Sequence, residues 1–341
     1  MKFRLIKIIV ALLFVSLLFI RCGKKSSNEV VVYTSVDQVF TEPILKDFEQ
    51  KTGIKVKPVF DTEETKSTGV LNRLIAEKEN PKCDIFWSGD PIRNLVLKNK
   101  GITAQYLPQS ASEINNLFKD NEGQWIGFSS RVRVIIYNSH LVKAEEAPHS
   151  IYDLVNPKWK GKCAIANPLF GTTSFHIAAL FAELGDEKAN EFLKGIKNNK
   201  VIIATSNGDV KKRVTDGDVL FGLVDTDDAI SAIREGAPIG MIFPDQDLIG
   251  TLIVPNTLSL IKNSPNQENA KKLFDYLLSA EVEQKLAELA AQIPMIKNNY
   301  QFKELPNVKS ISDIKSMTVD YEKAAKKLED IQPLLKKWLD Q

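Results

Sequence analysis

The sequence predicts an α/β protein built as two lobes, and three observations carry that reading. From Glu29 onward, short apolar runs alternate with segments whose apolar residues recur every three or four positions, the marks of strands and amphipathic helices in turn. The alternation occurs as two blocks, with a change of character near residues 128–138. Two extended stretches, 128–138 and 239–244 leading into 251–255, lie between the blocks. The second block therefore reads as an excursion from a first lobe that later sequence completes.

The elements follow in order. Val30-Val31-Val32-Tyr33 is a continuous apolar run of the kind found in parallel strands covered on both faces. Phe40, Ile44, Leu45 and Phe48 then fall at helical spacing, with Gly53 as the stop. Residues 54–60 form the next strand, and Ser67-Thr68-Gly69 opens a helix carrying Val70, Leu71, Leu74 and Ile75. Asp84-Ile85-Phe86-Trp87 is a third strand, and Ser88-Gly89-Asp90-Pro91 opens another helix. This β-α-β-α-β order implies a mostly parallel sheet with right-handed crossovers. The second block offers strands at 162–166, 201–204 and 220–224, and helices at 174–184 and 229–235. Helical patterns at 270–278, 282–289 and 321–339, the last interrupted at Pro333, close the chain.

The N-terminus bears on the compartment. Lys2, Arg4 and Lys7 precede an apolar run at 8–20, broken only by Ser16. That run is short of the ~20 residues that span a bilayer core, and a basic start before a short apolar stretch is the pattern of an export signal. Cys22 stands where a lipoprotein carries its modified cysteine, and the stretch resembles a lipobox, although Arg21 occupies a position where that pattern prefers a small residue. An uncleaved anchor is the alternative. The expected map is a signal at 1–21, a lipidated Cys22 with a polar tether to 28, one lobe from 29–129 plus 244–295, a second from 130–243, and C-terminal helices over 296–341. Losing the four positive charges of residues 1–21 takes the formal net charge from +2 to −2. No basic tract remains to suggest nucleic acid.

Chemistry beyond binding is poorly represented. The three histidines, His140, His149 and His176, fall in no H-E-x-x-H pattern, and no phosphate-loop, G-x-S-x-G or zinc spacing occurs. His176 lies on an apolar helix face and reads as a packed core histidine. No catalytic residue and no cofactor is expected. Cys83 and Cys163 sit in apolar, strand-like runs and read as small buried thiols, a disulfide between them depending on distance.

Taken together, Val32-Tyr33-Thr34-Ser35, residues 48–56, Cys83-Asp84-Ile85-Phe86-Trp87-Ser88, Trp159-Lys160-Gly161-Lys162 and residues 263–279 resemble family 1 extracellular solute-binding proteins. The similarity is to the branch containing ferric-ion-binding proteins and their phosphate-ester and phosphonate-binding relatives. It implies the type II periplasmic-binding-protein fold, in which two lobes joined by two crossing strands close on a ligand by hinge motion. It also implies a monomer, lipid-anchored at the periplasmic face or cell surface, that hands a small molecule or ion to an ABC permease. A sensing module feeding a receptor has the same fold. Iron binders of the branch place a His after the first strand and two adjacent Tyr in the second lobe. Here those positions fall at Val36-Asp37-Gln38 and at Asp225-Thr226-Asp227-Asp228.

Ligands of open α/β sheets sit beyond the carboxyl ends of strands, where helix starts present free N–H groups. Candidates of that kind are Ser35, Asp37, Thr68, Ser88, Thr172, Thr173, Ser206 and Asn207, each of which could equally be a plain helix cap. Arg131, on the first crossing, suits an anionic group, while Arg133 reads as a solvated hinge residue. Asp225 and its neighbour Asp227 could ligate a hard cation or pair with an ammonium, and Asp227 and Asp228 could instead cap a helix. Trp87 could wall the ligand or pack in the core. The resulting expectation is a small organic anion, such as a phosphate ester or phosphonate, with a ferric or other metal ion as the alternative.

Overall fold

Val30, Val32 and Tyr33 are fully buried, which is what a strand covered on both faces requires of an unbroken apolar run. They belong to β1 (Glu29–Thr34), the second strand of a parallel trio completed by β2 (Lys55–Phe60) and β3 (Ile85–Ser88). The computed structural model describes residues 28–61, 67–296 and 311–340. The signal and Cys22 lie outside the described residues.

Helix α1 (Gln38–Thr52) buries Ile44, Leu45 and Phe48 and ends at Gly53, whose N–H donates to the Glu49 carbonyl. Helices α2 (Thr68–Ala76) and α3 (Pro91–Asn99) complete the crossovers. Asp90 caps α3 through a hydrogen bond from the Arg93 N–H, and Pro91 supplies the preset first turn. A two-residue strand, β4 (Thr103–Ala104), leads into β5 (Ile126–Asn138), a 13-residue strand buried along its whole length.

The long strand β5 joins the lobes. The second lobe contributes β6 (Cys163–Ala166), α4 (Gly171–Leu184), α5 (Asp186–Asn198), β7 (Ile202–Ala204), α6 (Asn207–Asp216), β8 (Phe221–Asp225), α7 (Thr226–Arg234) and β9 (Ile239–Ile242). The chain returns through β10 (Ile253–Ile261) to the first lobe. The strand order is β2-β1-β3-β10-β5-β8-β6-β7, with β4 on β10 and β9 on β5. Residues 126–132 of β5 pair with β10, and residues 133–138 pair with β8 and β9. The α/β class and the two lobes agree with expectation. The second crossing is made of two strands, β9 and β10, divided by a turn at 244–250, in line with the two extended pieces read from the sequence. Asp245 staples that turn to the second lobe by accepting from the Ser150 hydroxyl and the Ile151 N–H.

Two helices of the second lobe, α5 and α6, were not anticipated. Helix α6 buries only Val210 and Val214, too thin a stripe to stand out from its polar neighbours. Helix α5 does carry Ala189, Phe192, Leu193 and Ile196 at helical spacing. At the C-terminus, α8 (Gln267–Leu277) and α9 (Ala280–Ala290) cover the first lobe, and α10 (Tyr321–Asp330) and α11 (Gln332–Asp340) follow. Pro333 sits in the first turn of α11, where its missing N–H costs nothing. Cys83 and Cys163 are both free and buried.

Candidate ligand-binding cleft

Strand β8 ends at Asp225, directly across the β5–β8 ladder from Arg133. Asp225 holds the N-cap position of α7 but makes no capping bond. Its Oδ1 accepts from Arg133 Nη1 at 2.8 Å, and its Oδ2 accepts from the Thr172 hydroxyl at 2.9 Å and from Arg131 Nη1 at 3.2 Å. Burial alone would raise its carboxyl, but the charges of Arg133 and Arg131 and the bonds from Arg133 and Thr172 hold it below the ordinary carboxylate value. Arg131 is the reciprocal case. Burial opposes its charge, while Asp225, Asp227, Asp37 and Asp228 keep its affinity for a proton above the ordinary value.

These groups border a cavity of about 270 Å³ between the lobes. The first lobe lends Ser35, Asp37 and Ser67, and the crossing lends Arg131. The second lobe lends Ala166, Asn167 and residues 170–173 at the head of α4, residues 205–208 at the head of α6, and Asp225, Asp227 and Asp228. Apart from Arg131, which lies within β5, every contribution lies at or just beyond the carboxyl end of a strand or in the first turn of a helix, which is where open α/β sheets present ligand-binding groups. Arg131 links both sides, because Nη2 donates to the Gly89 carbonyl in the first lobe while Nη1 meets Asp225. A side chain on Gly89 would block that reach, since its Cβ would lie 2.8 Å from Arg131 Nη2.

Eight of the ten residues proposed from sequence border the cavity: Ser35, Asp37, Arg131, Thr172, Thr173, Ser206, Asn207 and Asp225. Their chemistry differs from expectation in places. The Thr172 hydroxyl donates to Asp225 and accepts from Arg133 Nη1 at 3.0 Å and Asn207 Nδ2 at 3.1 Å, so its one donor and two lone pairs are all used. Ser206 caps α6 by accepting from the Asp209 N–H, and Ser35 accepts from the Gly89 N–H.

Two candidates lie elsewhere. Ser88 is fully buried against β10 and accepts from the Asp90 N–H. Thr68 turns its hydroxyl toward the Leu169 carbonyl of the other lobe at 3.5 Å, and its neighbour Ser67 borders the cavity instead. Trp87 is a core residue, fully buried with its ring centroid 5.5 Å from that of Phe128. Arg133 is not a solvated hinge residue but has no exposed surface. Sequence reasoning also missed Asn167, which sits in the turn between β6 and α4 and carries no periodic signal.

One carboxylate oxygen from each of Asp225, Asp227 and Asp228 falls within 4.8 Å of the others. Such a cluster could hold a hard cation, but Asp225 has both oxygens engaged. No Tyr, His or Cys is among the described residues that border the cavity. Among the described residues that border the cavity, the charged ones are Arg131, Asp37, Asp225, Asp227 and Asp228; Arg131 faces both Asp225 and Asp227, and Asp225 is also paired with Arg133.

Residues 44–313, most of the chain, match the family described as bacterial extracellular solute-binding proteins. The chain belongs to this family. It is 28% identical over 316 residues to Iron uptake protein A1 of Synechocystis, spanning 87% of this chain and 83% of that one. It is 26% identical over 302 residues to a Salmonella typhimurium periplasmic protein named for binding 2-aminoethylphosphonate, covering 86% and 80%. Among solved structures, the apo ferric ion-binding protein A of Pasteurella haemolytica superimposes with a TM-score of 0.81 at 26% identity, over 92% of this chain and 98% of that one. The solute-binding protein described here thus resembles relatives named for unlike cargo.

Proposed function

We propose that this chain captures a small zwitterionic organic solute, a phosphonate or phosphate ester bearing an ammonium group, for an ABC importer. The observation that carries this is the mixed lining of one interlobe cavity. Arg131 and the N–H groups at the starts of α4 and α6 suit a phosphoryl oxygen. Asp37, Asp227 and Asp228 suit an ammonium. Among the described residues, a purely anionic solute would also lie beside the carboxylates of Asp37, Asp227 and Asp228. A volume of about 270 Å³ is near the lower end of small-molecule sites, in keeping with a short-chain solute. The similarity to the Salmonella protein named for 2-aminoethylphosphonate supports the same chemistry.

Micromolar affinity needs about −8 kcal/mol, and each charge-assisted hydrogen bond contributes about 1.5–3 kcal/mol. The contacts of one lobe fall short once ordering costs are met. Binding is therefore coupled to apposition of the lobes, which is how a permease distinguishes loaded from empty protein.

A metal-ion cargo is the second reading, favoured by the convergence of Asp225, Asp227 and Asp228 and by the iron-named relatives. A cation there would have to displace Arg131 from Asp225. Mass spectrometry of ligand retained through gentle purification, with elemental analysis alongside, separates the two. An amino-bearing phosphonate or phosphate at near-stoichiometric occupancy is expected; a stoichiometric metal with no organic ligand overturns the proposal.

We further place the protein on a membrane through lipid at Cys22, acting as a monomer. Cys22→Ser should move it from the membrane fraction to the soluble fraction, and a variant that stays membrane-bound would indicate an uncleaved anchor.

A further inference from the structure

Much of the cavity wall of the second lobe comes from three separate elements, the head of α4, the head of α6 and the end of β8. One side chain touches all three, and it is not part of the cavity lining. Arg133 Nη1 donates to the Thr172 hydroxyl at 3.0 Å, to Asn207 Oδ1 at 3.2 Å and to Asp225 Oδ1 at 2.8 Å. Its Nη2 donates to the Thr173 hydroxyl at 3.2 Å and to the Leu223 carbonyl at 3.4 Å.

We infer that Arg133 is the positioning residue of the binding site, holding four ligand-facing side chains in one arrangement from behind. Three physical points support this. The guanidinium is a planar fork that can serve several acceptors at fixed angles, whereas an ammonium is a point charge on a flexible stem. Arg133 has no exposed surface, so bulk water cannot take over its bonds if it is shortened. Beyond Thr173 and His176 the lobe is apolar, with Ile165, Ile177 and Leu223 around a void of only about 10 Å³, at the limit for a single water. Arg133 also neutralises Asp225, so that Arg131 is not the sole partner of that carboxylate.

The inference rests on the cavity being the ligand site, and the test keeps the two apart. Arg133→Lys is compared with the wild type by calorimetric titration with 2-aminoethylphosphonate, by ligand-free melting, and by crystal structures of both. The lysine still pairs with Asp225, so the protein should fold, with melting lowered by the bonds that the Thr173 hydroxyl and the Leu223 carbonyl lose. Affinity should fall about tenfold or more, the loss of at least one charge-assisted bond. Thr172 and Asn207 should turn away from Asp225 in the crystal. Thr173→Val, which severs a single donor bond and preserves shape, should weaken binding less and in the same direction, and it carries the test if Arg133→Lys does not fold. Unchanged affinity in both variants, or a loss no greater than the loss of folded protein, overturns the proposal. If the wild type does not bind the probe, the proposed ligand is wrong. The crystals then decide alone, and an unmoved wall in Arg133→Lys means Arg133 positions nothing.

Discussion

Two buried titrating groups set how single residues respond to pH, and they act in opposite directions. Glu283 is fully buried on α9 and accepts backbone N–H bonds from Ser129 at 2.7 Å, Met295 at 2.9 Å and Ile296 at 2.8 Å. Burial pushes its carboxyl up from 4.5 to about 7, against those three bonds. Folding therefore favours its proton, and that contribution is complete below pH 4.5 and lost as pH rises to 7. His176, buried behind Thr173, is pushed down from 6.5 to about 3 by burial and then by the charge of Arg133. Its contribution is complete above pH 6.5 and lost as pH falls toward 3. The two offset each other between pH 4.5 and 6.5, each with a slope of about 1.4 kcal/mol per pH unit. Glu283→Gln should add a positive slope of that size to stability against pH in urea titrations. His176→Phe should add a negative one, and parallel curves for variant and wild type would refute the assignment. Asp225→Ala is the harshest residue-scale change. It leaves two buried guanidinium groups without their main partner and should destabilise by about 3–5 kcal/mol, read from the denaturant midpoint. Arg131→Ala should instead weaken ligand binding at smaller cost, since Arg131 borders the cavity.

At the scale of elements, the site depends on where β8 ends. Gly222 lies in β8 with the Ala164 carbonyl 3.0 Å from where a Cβ would be, and the Val210 side chain of α6 lies closer still. Gly222→Ala should push α6 off the sheet. The expected cost is about 1–3 kcal/mol, with weaker ligand binding because Asn207 rides on α6; a variant as stable as wild type would show that α6 has slack. Much of this was legible. Ser206, Thr172 and Asp225 follow strands and head helices, and free N–H groups are expected there whatever the tertiary fold. Illegible was which hydroxyl would be spent inside the protein. Thr172 and Asn207 are 35 residues apart, and their mutual bond exists only because α4 and α6 begin side by side. Thr68 and Ser88 failed for a related reason. A strand-end serine and a helix-start threonine resemble their neighbours in composition, and only the pleat and twist decide which of them meets the cavity.

At the scale of the molecule, α10 straps both lobes together on a face away from the cavity. Tyr321 packs its ring 6.1 Å from Trp125 of the first lobe and 6.1 Å from Phe175 of the second. Lys98 of α3 and Lys100, its C-cap, pair with Glu322 and Glu329 respectively. On the other side Lys323 donates to the Ala182 carbonyl and Lys327 pairs with Asp186. The second-lobe anchors include a backbone acceptor, and Trp338 of α11 donates to the Leu193 carbonyl at 3.1 Å. Those to α3 are partly exposed ion pairs, which are individually weak. Opening of the cleft should therefore occur by α3 sliding on α10 while α10 stays with the second lobe. Tyr321→Ala should lower stability by about 1–3 kcal/mol and speed amide exchange along α3 more than along α4; equal effects on both would contradict that order of release.

What the sequence determined by itself is local and periodic. Strand and helix alternation in two blocks, the buried character of the first strand, and the absence of a tyrosine pair at residues 225–228 are all properties of neighbours along the chain. What only the tertiary structure decided is long-range: which hydroxyls face the cavity, that Trp87 packs in the core, and that Arg133 is buried. Arg131 and Arg133 have the same composition and stand two apart on one strand, so their side chains point to the same face. They differ because Arg131 lies where the lobes part, and Arg133 lies where β8, α4 and α6 close over it. A guanidinium meets its partners across distances in sequence that no local pattern encodes, and that is why the network behind the site, unlike most of its lining, became legible only in the folded chain.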